Sequence, residues 1–490
     1  MASGRLVQFP APLGGWNAVD SLDGMPPQDA VAMDNFFPSL TTVSLRRGSS
    51  SFCSTGESTS VQTLMEYNGG STSKLIACTN GKLFDVSSGT ASSLATGYAK
   101  DIWSWQNYST AGGTYLLAAN DSGTDTPIVY DGATVTAVVV VGPSSAANLS
   151  QVMVYQQRVF YVERNTLSVW YTAAGAYQGA LTQFDFGPFC PRGGSIATIA
   201  TWTRDNGYGG VDDIFVVVTT KGEILLYIGI NPSVATTFNM MGRFQVGIPV
   251  AGPRCVTRIG PDLMLLCQDG YQPLSAYLTV GQSKAQTSNL GFKIGNAASD
   301  AVKNYGSLVG WQGMPYPAGT ALIINVPQDS TTFWQHVVNT TTGAWCRYKG
   351  MNAYCWGLFN NNLYYGGASG VVYRADTGSS DNGTAITAVV QPAFQAPGSR
   401  SPIKQFKMLK PYFRVNGDLS YSSSLEIDYS TSTLSPSDSS PTAGATVVKT
   451  NWIGVSGLGA ACSPQLALKT STLSVDYQGA DLLYEIGGVL

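Results

Sequence analysis

One tract, AYCWGLFNNNLYYGGASGVVYRAD at residues 353–376, constrains the fold more than any other part of the chain. It predicts two short apolar strands, Cys355–Phe359 and Leu363–Gly366, joined by a turn at Asn360-Asn361-Asn362. A second turn, Gly367-Ala368-Ser369-Gly370, leads to a third strand at Val371–Arg374. Asn and Gly tolerate the positive φ of tight hairpin turns, and aromatic and β-branched residues suit strands. Weaker copies open at KLIAC (74–78), TYLLAA (114–119), RVFYVE (158–163), Ile214–Val218, Leu263–Cys267 and Ala321–Val326. Their starts lie about 40 to 60 residues apart, the length of a four-stranded propeller blade. Apolar segments such as Ser60–Tyr67, Ile102–Gln106, Gln151–Tyr155, Ile196–Thr203 and Arg254–Ile259 precede the hairpins and are expected as innermost strands. The expectation is an all-β chain, an irregular β-propeller of six or seven blades. Radially stacked antiparallel sheets bury both faces and leave only short edges. Two packed β-sandwich domains are the alternative.

The propeller is expected over residues 56–378, with insertions near 173–192 and 272–317. Residues 1–55 read as an N-terminal arm, either an extension packed along the main domain or a docking segment that helps bind a neighbour. Within it Pro27 suits a first helical turn, with Ala30–Met33 as one short turn of helix, and Thr42–Arg46 as a strand. Thr377–Gly383 reads as a linker. Residues 384–490 read as a C-terminal, β-sandwich-like domain, in which Ser430–Ser440 is an exposed loop.

Composition narrows the chemistry. Charged residues make up only 12% of the 490, so helical-bundle composition is excluded, and 11% aromatics exclude disorder. With 27 Lys and Arg against 30 Asp and Glu, the chain has no basic field to attract nucleic acid without regard to sequence. The N-terminus has no apolar leader core, and the eight cysteines have no CxxC spacing. Folding in a reducing cell interior is therefore expected. No apolar run approaches the roughly 20 residues of a membrane span. The one histidine, His336 in FWQHVVN, reads as a packed strand residue, and a Ser-His-Asp triad would have to use it. GxSxG, P-loop and zinc-ligand spacings are missing. Residues 207–213 read as a turn capped by Asp rather than a calcium loop. Asp101, Glu163, Asp212, Glu223 and Asp269 are the carboxylates weighed for glycoside hydrolysis, and sequence brings no two of them together. No catalytic, cofactor-binding or metal-binding residue is expected, and no enzyme.

The first fifty residues carry a family signature. GGWNAVDSLDGMPPQDAVAMDNFFPSLTTVSLRRG resembles the N-terminal pattern of tail nozzle, or hub, proteins of short-tailed bacteriophages. That pattern runs through Gly14, Gly15, Trp16, Asn17, Pro26, Pro27, Asn35, Val43, Arg46 and Gly48. Gly343-Ala344-Trp345, the tract LYYGG at 363–367 and GVVY at 370–373 resemble the family's last blade, and KQFKMLKPYFRVNG its C-terminal β region. The resemblance implies a structural virion protein of the tail, assembled in the host cytoplasm. Six copies would form a ring below the head–tail adaptor. Its lumen would conduct genomic DNA without sequence-specific binding, and its surface would carry a tail fibre or tailspike. Trp16, Asn35, Phe36, Phe37, Arg46 and Arg47 are the residues expected at subunit or neck contacts. The alternative function is a carbohydrate-binding or glycan-degrading propeller.

Overall fold

A computed structural model describes residues 4–70, 72–205, 211–234, 236–279, 290–435 and 451–487. Long apolar runs such as Ala321–Pro327, buried at every position, must be covered on both faces, and stacked blades do this. Seven small antiparallel sheets follow one another, at residues 63–96, 103–137, 149–185, 196–245, 256–273, 312–348 and 355–375. Their innermost strands are Thr63–Asn68, Trp103–Thr110, Leu149–Tyr155, Ile196–Asp205, Val256–Ile259, Gln312–Tyr316 and Cys355–Phe359. Successive blades pack through these strands and the seventh returns to the first, so the ring closes as a seven-bladed propeller. Separate apolar cores fill the gaps between blades. Phe160, Tyr171, Phe215 and Tyr227 lie between the third and fourth, and Leu64, Leu75, Phe359 and Val372 between the first and seventh.

The hairpin at Asn360-Asn361 has a two-residue loop. Phe359 pairs with Asn362, and both loop asparagines have positive φ, 49° and 59°. This is the geometry that matches strand twist in a tight hairpin. The fifth blade has three described strands, and the helix Gly295–Tyr305 packs on its outer strand Gly270–Pro273. Ser49–Ser54 pairs antiparallel with Val371–Ala375 and completes the seventh blade. Chain segments from opposite ends of the propeller therefore latch the ring. The polar run SSSFCS gives little apolar alternation to announce this strand.

Beyond the propeller, two sheets face each other. One joins Ile453–Gly459, Lys404–Val415 and Val475–Ile486 with the N-terminal strands Arg5–Pro10, Val43–Leu45 and Phe36–Pro38. The other joins Asp29–Asp34, Thr384–Pro392, Cys462–Thr470 and Tyr421–Ile427. Phe413 and Tyr421 meet across the gap at 5.2 Å. The second sheet continues through Gly15–Trp16 into Trp345–Tyr348 of the sixth blade. Propeller and sandwich thus share one sheet.

This corrects several expectations. Residues 5–54 do more than pack along the propeller or dock a neighbour, because they supply strands to both sandwich sheets and to the latch. Asp29–Asp34 is a strand rather than a helical turn, since pairing on both sides satisfies its backbone. Ser380–Asp381 of the expected linker pairs with Thr384–Ala385 and with Ser49. The insertion at 173–192 contributes Thr182–Asp185, the outer strand of the third blade. That at 272–317 contains the helix and the first strand of the sixth blade. Residues 207–210, in the turn weighed for calcium, and residues 436–440 of the serine-rich loop lie outside the described residues.

Candidate functional site

The motif residues gather at the junction of sixth blade, latch and sandwich. A Cβ on Gly14 would lie 2.0 Å from Asp29 Oδ1, and one on Gly15, at φ +81°, 2.6 Å from the Trp345 backbone. Only glycine lets these backbones approach so closely. Trp16 is buried. The Arg347 guanidinium lies between the rings of Trp16 and Trp334, 5.1 and 5.0 Å from their centroids. Asp34 receives Arg347 at 2.7 Å and Lys349 at 2.6 Å. Burial raises the Asp34 carboxyl, but these two cations hold it below its ordinary value. Asn17 donates to Asp29 Oδ2 at 2.8 Å, and Lys293 donates to Asp29 Oδ1 at 2.7 Å.

Asn35 adopts φ 59° and donates to the carbonyls of Lys349 and Thr387 at 3.0 and 2.7 Å. Its Oδ1 accepts from Arg46 Nε at 2.7 Å and from the Lys349 N–H at 2.9 Å. Arg46, 4% exposed, grips both oxygens of Asp381 at 2.9 and 2.5 Å and also donates to the carbonyls of Lys349 and Arg47. A Cβ on Gly48 would meet the Ser380 carbonyl oxygen at 2.0 Å. Phe36 is fully buried, Phe37 half-buried and Arg47 exposed. Of the six residues expected at contacts, Trp16, Asn35, Phe36 and Arg46 are thus committed to their own chain. Arg47 is the one of the six that is exposed, and Leu40 beside the same strands is 69% exposed.

The ionisable candidates are dispersed. His336 is buried, shares a 2.8 Å hydrogen bond with the Tyr271 hydroxyl and meets the Trp16 ring edge-on at 5.4 Å. Burial, with Arg347 nearby, pushes its imidazole down to about 3, so it is neutral at physiological pH. Asp101 accepts from the Gly81 N–H, Glu163 from the Trp170 indole, Glu223 from the Arg192 N–H and Asp269 from the Gly247 N–H. Each carboxylate is tied to its own part of the propeller. The side chain of Asp212 lies outside the described residues. All eight cysteines are buried free thiols, and those whose acidity departs from the ordinary are raised, chiefly by burial. Among the described residues no His, Cys, Asp or Glu cluster could hold a metal ion, and no helix is long and apolar enough to cross a membrane.

A cavity of about 910 Å³ opens on the propeller axis. Its wall takes Gln62, Asp101, Gln151, Ala197, Arg254, Trp311 and Tyr354, one at or just before the inner strand of each blade in turn. From the fifth blade Arg254 reaches the first, where Nη1 and Nη2 donate to the Gln62 carbonyl at 3.1 and 3.2 Å. Nη2 also donates to Thr63 Oγ1 at 2.6 Å. Burial lowers the guanidinium from its ordinary value, and the ionisable groups that act on it are the thiols of Cys355 and Cys78. No carboxylate pairs with Arg254 among the described residues. Sequence placed Arg254 only at the start of a strand. Nothing in the local pattern shows that ring closure carries it to the axis.

No family model and no curated protein matches the chain. Among solved structures, the computationally designed Ika8 protein is similar over 66% of this chain and 99% of its own, at 10% identity and a TM-score of 0.36. BBS1N, solved in complex with ARL6DN, covers 70% of this chain and 100% of its own at 12% identity and a TM-score of 0.41. YCF48, solved bound to a D1 peptide, covers 72% and 99% at 9% identity and a TM-score of 0.41. Similarity at this level assigns no ligand or partner to the present chain.

Proposed function

We propose that this protein is a structural subunit of a bacteriophage tail, six copies of which form a nozzle ring below the head–tail adaptor. The observation that carries this reading is the N-terminal signature from Gly14 to Gly48. Its glycines sit where a side chain would collide with backbone or a buried carboxylate, and its arginine joins latch to sandwich. The motif is thus a set of demanding structural positions, as an architectural joint would need.

In this reading the DNA path runs between copies and not through a propeller, because one arginine side chain spans the propeller axis. A near-neutral chain suits a conduit, since Lys and Arg contacts to phosphate would hold the cargo in place. A ring of like subunits uses two different faces of each copy, which Arg47 and Leu40 help to form. The outer surface would carry the fibre or tailspike. Electron microscopy of the purified chain, alone and with a head–tail adaptor protein, tests the proposal. Six-fold rings are expected; monomers in both samples would reject it.

A further inference from the structure

Among the described residues, the axial cavity holds a cation with no carboxylate paired to it. Its wall carries three cations, Lys100, Arg254 and Lys303, against two carboxylates, Asp101 and Asp121. Asp121 is already engaged by Arg164 at 2.7 Å, with Lys100 at 4.0 Å. Asp101 is turned to the backbone of the first blade, where it accepts from the Gly81 N–H at 2.9 Å. Among the described residues Arg254 meets a carbonyl and a hydroxyl only, leaving Nε–H and one Nη1–H over. Lys303 is exposed, and no described carboxylate lies within ion-pair distance of it. Two apolar side chains stand at the same cavity wall with much of their surface in solvent, Ile248 at 47% and Val309 at 55%. The volume, about 910 Å³, is near the upper end of ordinary ligand pockets and far more than a lone carboxylate fills.

We infer that the axial cavity is a docking site for a peptide segment of a partner protein, which presents an Asp or Glu carboxylate to Arg254 and covers Ile248 and Val309 with flanking apolar residues. Charge complementarity selects the acid. Guanidinium-to-carboxylate hydrogen bonds are short and charge-assisted, and a partly buried cation lacking an anion gains most from one. The apolar wall and the volume select a peptide over a small anion. This inference is independent of the tail assignment, because the cavity is a property of one propeller.

The test is calorimetric titration of the full chain with acetylated, amidated heptapeptides. The library carries Glu, Gln or Arg at its centre and varied apolar flanks. Glu peptides with apolar flanks are expected to bind at least tenfold more tightly than their Gln counterparts, and Arg peptides not at all. Arg254→Gln should erase the preference for Glu over Gln. Lys303→Glu should weaken Glu peptides several-fold, and Val309→Ser should weaken all peptides alike. Those last two positions are exposed, so they keep the test decisive if Arg254→Gln fails to fold, which a thermal melt reports. Absence of binding across the library, equal binding of Glu and Gln peptides, or succinate binding as tightly as the best peptide would each overturn the inference. Failure here would leave six-fold rings untouched, and failure to form rings would leave peptide binding untouched.

Discussion

Arg46 and Arg47 are neighbours with opposite fates. The first is buried against Asp381, Asn35 and two carbonyls, and the second is exposed. Removing one partner of a buried ion pair strands the other, so Arg46→Ala should lose about 3–5 kcal/mol of stability. Arg47→Ala should change it by less than about 0.5 kcal/mol. Urea unfolding of the two variants measures this. Replacing both arginines would confuse folding with assembly, and Arg47→Glu alone is the clean probe of a ring contact.

His336 and Asp34 give pH dependence in different windows. The folded imidazole titrates near 3, and in the unfolded chain near 6.5. Below the unfolded value the unfolded state takes up the proton and the folded state does not. Stability from this site is therefore full above about pH 6.5 and falls by about 2 kcal/mol at pH 5. His336→Gln should flatten that decline in urea midpoints taken at pH 5 and 7. Asp34, held below its ordinary value of 3.8, contributes stability above that value and loses it only as pH falls further.

At the scale of elements, hairpin turns and the latch behave differently. The Asn360-Asn361 turn is a local structure with both φ values positive. Asn361→Val should lose about 1–2 kcal/mol, because a β-branched residue resists left-handed backbone, and Asn361→Gly should be neutral or better. Thermal melts separate the two. The latch Ser49–Ser54 is a long-range structure. Deleting residues 1–54 would unpair Val371–Ala375 and bare its backbone edge, and exposed edges recruit other chains. Light scattering should show the truncated chain aggregating where the full chain does not. Hairpins were legible in the sequence because turn chemistry and strand composition are local. The latch was not, since its pairing partner lies over 300 residues away and its own residues are mostly serine.

For the whole molecule, near-balanced charge predicts weak association with DNA. Fluorescence anisotropy with a random duplex at physiological salt should show no saturable binding, whatever rings the protein forms. All seven hairpins read from the sequence became blades, and all five expected innermost strands begin within three residues of their predicted starts. The three-stranded fifth blade kept its hairpin while a helix took the outer position.

Alternating apolar stretches and Asn-Gly turns were enough to specify antiparallel sheets and their order, because backbone sterics and side-chain burial act over a few residues. The same short-range information left the N-terminal segment looking like an extension laid on the main domain or a docking arm. Its place inside two sandwich sheets depends on pairing with strands from the far end of the chain, and the arrival of Arg254 on the propeller axis depends on ring closure. These contacts join residues 192 and 314 positions apart, and no local pattern encodes which of them will meet.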